Sequence, residues 1–156
     1  MTVITANVAF NQNNIDLSFI KSGLTSFDLL KGSDLDPRAA ATQDSLVVYF
    51  SKDGHDFADM IVGKELTIIS NVPNQMNLTA GQVYSFADFA FDGQGLVKTV
   101  AFEGFDVSAA LLWKAIETTS TLDDSVLINK VLSGHDVFAL SQFDDYANGY
   151  RGNDKL

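Results

Sequence analysis

Three aspartates near the end of the chain recur at a fixed interval: Asp136, Asp145 and Asp154 stand nine residues apart. Two positions beyond each stands an apolar or small residue, Phe138, Ala147 and Leu156. A constant period is a sign of stacked structural units. Nine residues can make one glycine-rich turn and one short strand. The spacing therefore predicts a coil whose apolar residue enters a thin core while the carboxylate faces outward from the turn. Carboxylates and backbone carbonyls together suit calcium, a hard cation that takes about six to eight oxygens. A turn exposes its carbonyls only if its backbone reaches unusual angles, and Gly149 and Gly152 are placed for that. The plain alternative is a loop whose acidic residues fall at this spacing by chance.

The last copy, Gly149-Tyr150-Arg151-Gly152-Asn153-Asp154-Lys155-Leu156, resembles the nonapeptide calcium repeat of RTX (hemolysin-type) secreted bacterial proteins. That family's unit is G-G-x-G-x-D-x-U-x, with U large and apolar, and here only the second glycine is replaced. The first copy keeps Gly134, Asp136 and Phe138 but has Val131 and Leu132 where glycines belong. The second keeps Asp145 but puts Phe143 at a glycine position, and Phe tolerates positive φ poorly. The resemblance implies a β-roll in which calcium lies between one turn and the turn two copies later. Asp136 and Asp154 would then share an ion, with carbonyls from Gly134, Gly149, Arg151 and Gly152. Asp145 would face the other side without a counterpart. The resemblance covers residues 133–156. About three repeats are the minimum for a stable stack, so it implies an array continuing past Leu156. It also implies type I secretion, with the repeat unfolded at low cytosolic calcium and folded at the millimolar calcium outside the cell.

The rest of the chain must position these residues. A length of 156 suggests one body, able to bury about 70% of its unfolded surface. At 46% hydrophobic with 12 Phe it can form an ordinary core. Ten basic against 20 acidic residues give a net charge of −10, which argues against nucleic acid as a partner and suits divalent cations. With no cysteine there is no disulfide, thiolate ligand or Cys nucleophile. The N-terminal stretch lacks the basic and apolar regions of a secretory signal, and no apolar run is long enough to span a membrane.

Residues 2–10 alternate and read as a strand, followed by a polar break at 11–14. Residues 15–30 are ambiguous: Leu17, Ile20 and Leu24 fit a helix face, but Gly23 argues against a long helix. Residues 31–44 read as a loop. Residues 45–51 form a strand that meets a tight turn at Asp53-Gly54. Residues 57–62 and 65–70 read as further strands about a turn or bulge at Gly63, and 71–77, with Pro73, as a loop. Residues 82–91 and 96–105 flank Asp92-Gly93-Gln94-Gly95 as a hairpin. A helix is predicted over 107–118, and a second starts at a capping box of Ser120 and Asp123 and runs through Leu132, with Gly134 as its terminator. The expected architecture is α+β: residues 1–132 form a mainly antiparallel sheet with two C-terminal helices packed on it, and residues 133–156 begin a β-roll.

Other candidates are weaker. Asp53, His55, Asp56 and Asp59 lie close in sequence but match no metal or catalytic spacing, and read as a solvated hairpin tip. His135 reads as exposed and Trp113 as core. Tyr84, Phe86, Phe89, Phe91, Phe102 and Phe105 could line a pocket or simply fill a sheet-on-helix core. Asp123 and Asp124 sit at a helix start, where the dipole explains them. No nucleophile elbow, phosphate loop or dinucleotide fingerprint is present.

The order LVVYF, MIVGKELTII, FDGQG, VAFEGFDVSAALL over residues 46–112 also resembles the secreted haemophore family. That resemblance implies the same fold class, but the haem tyrosine position falls on Ile68 and the histidine loop near 74–76, which holds no histidine. The lead expectation is a non-catalytic N-terminal module of a secreted calcium-binding protein, capping a β-roll and binding a cell-surface polysaccharide or matrix component. The alternatives are a haemophore-like small-ligand carrier and an accessory module of a secreted hydrolase.

Overall fold

The computed structural model describes residues 1–32, 43–72 and 75–155. One seven-stranded sheet dominates it, built from β1 (Val3–Ala6), β2 (Leu24–Leu30), β3 (Asp44–Lys52), β4 (His55–Val72), β5 (Gln75–Phe91), β6 (Leu96–Ser108) and β7 (Val137–Ala139). Its order is β2-β3-β4-β5-β6-β1-β7. Every pairing is antiparallel except that of β1 with β7. Helices α1 (Ser18–Ser22), α2 (Ala109–Glu117) and α3 (Thr121–Val131) complete an α+β body. Among the described residues, no helix is long and apolar enough to cross a membrane.

The hairpins follow their turn chemistry. Asp53 and Gly54 both take positive φ, 52° and 78°, as a type I′ turn requires, and Lys52 pairs with His55 across it. At the β5–β6 turn the Asp92 carboxylate accepts from the N–H groups of Gln94 (2.8 Å) and Gly95 (3.0 Å), which hold its pKa below the usual range. Where two strands and a loop were expected between 57 and 77, β4 runs continuously to Val72 and β5 begins at Gln75. Gly63 marks a bulge rather than a break. Pro73 and Asn74 lie outside the described residues, as do residues 33–42 of the expected 31–44 loop.

Gly23 ends α1 after five residues, and the ambiguous stretch from Ile15 therefore divides into a short helix and β2. The first C-terminal helix starts two residues later than expected. Val107 and Ser108 still belong to β6, and the Ser108 hydroxyl caps α2 by accepting from the Leu111 N–H. Ser120 caps α3 through the Leu122 N–H, while Asp123 bonds the Thr118 hydroxyl instead of closing a capping box. Gly134 does not end α3. The helix stops at Val131, Leu132 donates to the Ile128 carbonyl, and Gly134 keeps an ordinary φ.

The core lies between the helices and one sheet face. Leu46, Val48, Phe50, Ile61, Leu66, Leu78 and Val83 come from the strands, and Ile20, Leu112, Trp113, Ile116, Leu127 and Leu132 from the helical side. Burying each side chain of this size contributes about 1.5–3 kcal/mol. Ile4 of β1 and Phe138 of β7 join the same core, so the strand of the first repeat is part of the main sheet.

Candidate functional site at the sheet edge

The nine-residue period becomes a spatial register. Val137 pairs in parallel with Val3 on one side and with Lys155 on the other. Positions 137 and 155 are two copies apart. Tyr146, one copy from each, pairs in parallel with Asn11 elsewhere. Backbone bonds tie each contact: Val137 N–H to the Thr2 carbonyl (2.9 Å), Phe138 N–H to the Lys155 carbonyl (2.8 Å) and Tyr146 N–H to the Phe10 carbonyl (2.7 Å). The N-terminal segment thus pairs with the C-terminal one at two separate points, Val3 and Asn11.

Each aspartate makes the same contact, one residue before the paired position. Asp136 Oδ1 accepts from the Thr2 N–H (2.8 Å). Asp154 Oδ1 accepts from the Asp136 N–H (3.0 Å), and Asp145 Oδ1 from the Phe10 N–H (2.6 Å). A carboxylate on a backbone N–H is a charge-assisted bond, stronger than its neutral counterpart. The same step recurs at His135, whose Nδ1 accepts from the Asn153 N–H (2.9 Å) while the side chain stays exposed, as expected.

One expectation changes here. Asp136 is 1% exposed, so its carboxylate does not face outward. Among the described residues its Oδ2 is shielded from solvent and has no hydrogen-bond partner. Asp145 lies apart from the other two aspartates; besides the Phe10 N–H, the Ser141 hydroxyl donates to it. Asp154 is exposed. Phe138 is buried and Ala147 half-buried against the core, while Leu156 lies outside the described residues.

Gly149 and Gly152 serve differently from each other. Gly152 has φ 144°, and a Cβ there would collide with the Gly134 carbonyl. Gly149 has no unusual φ; its value is space, since a Cβ would collide with the Asp154 carboxylate. The unusual angle falls on Tyr150 (φ 55°), the residue that replaces the repeat's second glycine. Phe143, at a glycine position of the second copy, keeps negative φ and escapes strain. The arrangement brings Asp136, Asp154, Gly134, Gly149 and Gly152 together and leaves Asp145 apart. Arg151 lies in the same turn, between Tyr150 and Gly152.

This donor set fits calcium chemically. It offers two carboxylates two copies apart, a buried carboxylate oxygen without a partner, and glycine backbone where side chains would intrude. Among the described residues, no three His, Asp or Glu side chains gather as a metal-binding group. An ion here would depend on backbone carbonyls for much of its shell.

The remaining candidates are scattered. Asp53, His55 and Asp56 are exposed at the β3–β4 tip, but Asp59, grouped with them in sequence, is 1% exposed on the core face of β4. Alternation could have revealed it, because Phe57, Asp59 and Ile61 share one face. Of the aromatic set, Phe86, Phe102 and Phe105 line a cavity and Phe91 is exposed. Trp113 is core. Asp124 is not merely a helix-start charge. It is buried, its Oδ2 accepts from the Leu17 N–H (3.4 Å), and burial followed by the charges of Asp123 and Asp16 pushes its pKa up to about 6 against that bond. Ile68, at the haem-tyrosine position, sits in β4 opposite Leu78 and packs on the core. The fold is that of an α+β, mainly antiparallel protein; neither family models, nor curated proteins, nor solved structures give a match to this chain.

Proposed function

We propose that the chain is a non-catalytic N-terminal module of a secreted, RTX-type calcium-binding protein, and that its α+β body caps the first coils of a β-roll. One observation carries this reading: positions two copies apart stand side by side, with the Asp136 N–H on the Asp154 carboxylate. That closeness is one condition for an ion shared between alternate turns, and it supports this reading. The N-terminal strand deepens it, because Thr2 and Phe10 present N–H groups to Asp136 and Asp145 just as Asp136 presents its own to Asp154. A stack of thin coils needs a first layer that buries its apolar side, and β1 supplies one.

Asp136 and Asp154 would hold the ion, with carbonyls of Gly134, Gly149, Arg151 and Gly152. The ion would supply positive charge between carboxylates that repel one another. Asp136 Oδ2, buried and without a partner, is the atom with most to gain. The setting would be extracellular, with a cell-surface polysaccharide or matrix component as the macromolecular partner.

Calorimetric titration with calcium at neutral pH tests the reading. The expected Kd lies at about 0.1–1 mM, the range of extracellular sites, with magnesium much weaker. Binding no tighter than that of magnesium would overturn it.

A further inference from the structure

The helix-covered face of the sheet contains a cavity of about 160 Å³ that the calcium reading does not use. Its wall is apolar, with Phe86 and Phe102 from the sheet and Leu112 and Leu127 from the helices. Into this wall is set Asp59, 1% exposed, with neither carboxylate oxygen hydrogen-bonded to any donor. Directly across the β4–β5 pairing stands Asp88, which also lines the cavity and whose Oδ2 takes the Thr99 hydroxyl. Asp16 is the third acid on the lining, and among the described residues no Lys, Arg or His lines it.

We propose that this cavity binds a small organic cation: an ammonium group on an apolar or aromatic body about the size of benzylamine, with the ammonium donating to Asp59 and Asp88. Three observations lead there. The room is about that of an engineered cavity that accepts benzene. Among the described residues every titratable group on the lining is a carboxyl, so an ammonium is the complement. A carboxyl set in an apolar wall without a donor is a costly arrangement, and a bound ammonium would satisfy it.

Proton accounting gives the proposal a signature. Burial first, then the charge of Asp88, pushes Asp59 well above the usual carboxylate range. Without a ligand the Asp59 carboxyl is therefore biased toward its protonated form, which can donate to Asp88. An entering ammonium takes that place and the proton leaves to solvent. The charged groups around the site are Asp88 on β5, Asp16 before α1 and Asp124 on α3, all acidic, while β3 presents apolar Val48. Affinity should therefore rise with pH until the amine itself loses its proton.

The test is titration of the full chain with benzylamine, toluene and benzoate, followed by amide NMR. Benzylamine is expected to shift amides around Phe86, Phe102 and Leu112, to bind several-fold more tightly at pH 8 than at pH 6, and to outbind benzoate by tenfold or more. Asp59→Asn should weaken benzylamine at least tenfold and leave toluene unchanged. Equal binding of benzylamine and toluene by the native chain, or no shift at those amides, would overturn the proposal without recourse to any variant. Calcium binding at the sheet edge should be unaffected either way.

Discussion

Two aspartates, Asp136 and Asp59, are equally buried at 1% exposure, and they differ in what meets them. Asp136 sits where two coils touch, and the Thr2 N–H meets one of its oxygens. Asp59 sits in an apolar wall, meets no donor, and faces a second carboxyl. The coil edge handles negative charge by aiming backbone N–H groups at it and leaves Asp136 Oδ2 over. In the cavity, burial and the charge of Asp88 push the carboxyl toward its neutral form. A buried carboxylate is tolerable when its bonds are supplied and otherwise neutralises itself. Each region is thus left with one acidic group whose needs the chain does not fully meet, and those are the places to look for what the protein binds.

Substitutions at the two sites should move stability in opposite directions. Asp136→Ala is expected to have the largest effect. It strands the buried Thr2 N–H and should cost about 2–3 kcal/mol, lowering Tm by roughly 4–10 °C in a chain of this size. Asp59→Leu should instead stabilise the protein, by about 1–3 kcal/mol at pH 8, because an apolar group suits the wall better than a carboxyl without a donor. If Asp59→Leu destabilised the protein as Asp136→Ala does, the contrast between the regions would fail.

The pH dependence sharpens the same comparison. Asp124 is raised to about 6 in the folded chain from an ordinary 3.8, so the native state binds more protons than the unfolded one in that interval. Its contribution is fully present below about pH 4 and is lost as pH rises through about 6. Asp59 acts with the same sign, its loss falling well above pH 4. Asp44 acts with the opposite sign. Burial works against its ionisation, but the Lys31 ammonium and the N–H groups of Gly32 and Leu66 outweigh that and hold its pKa down. Its contribution is present above pH 4 and lost below. Calcium-free protein should therefore be more stable at pH 5 than at pH 7.5. Asp124→Asn should recover roughly 1–3 kcal/mol at pH 7.5 and flatten the slope between pH 4 and 6, as measured by urea unfolding. The smallest effect is expected at Tyr150→Gly. Relief of its positive φ, offset by the greater freedom of glycine in the unfolded chain, should leave a gain of less than about 1 kcal/mol.

Much of the fold is legible locally. The turns at Asp53-Gly54 and Asp92, and the helix caps at Ser108 and Ser120, depend on residues within a few positions of one another. What local reading misses depends on distant partners. The parallel pairing of Val3 with Val137 spans nearly the whole chain, and no local pattern announces it. β4 continues past Gly63 because β5 pairs with it across the bulge. At the sheet edge Asp136 and Asp154 are neighbours through the Asp136 N–H. The nine-residue spacing does not show that the N-terminal segment pairs with this region, which is why Asp136 is buried and Asp145 accepts from Phe10. Asp59 was hidden by its company: beside Asp53, His55 and Asp56 it looks like part of an exposed tip. Strand alternation separates it from Asp56 and puts it with Phe57 and Ile61, farther along β4 from the exposed tip.

The most direct test of the central claim is a calcium titration of the full chain followed by its amide resonances. The account predicts that the amides of Asp136, Gly149, Gly152 and Asp154 shift together and saturate at millimolar calcium, while those near Asp59 stay still. Shifts spread without saturation over exposed acids such as Asp53 and Asp56, with the coil amides unmoved, would contradict it.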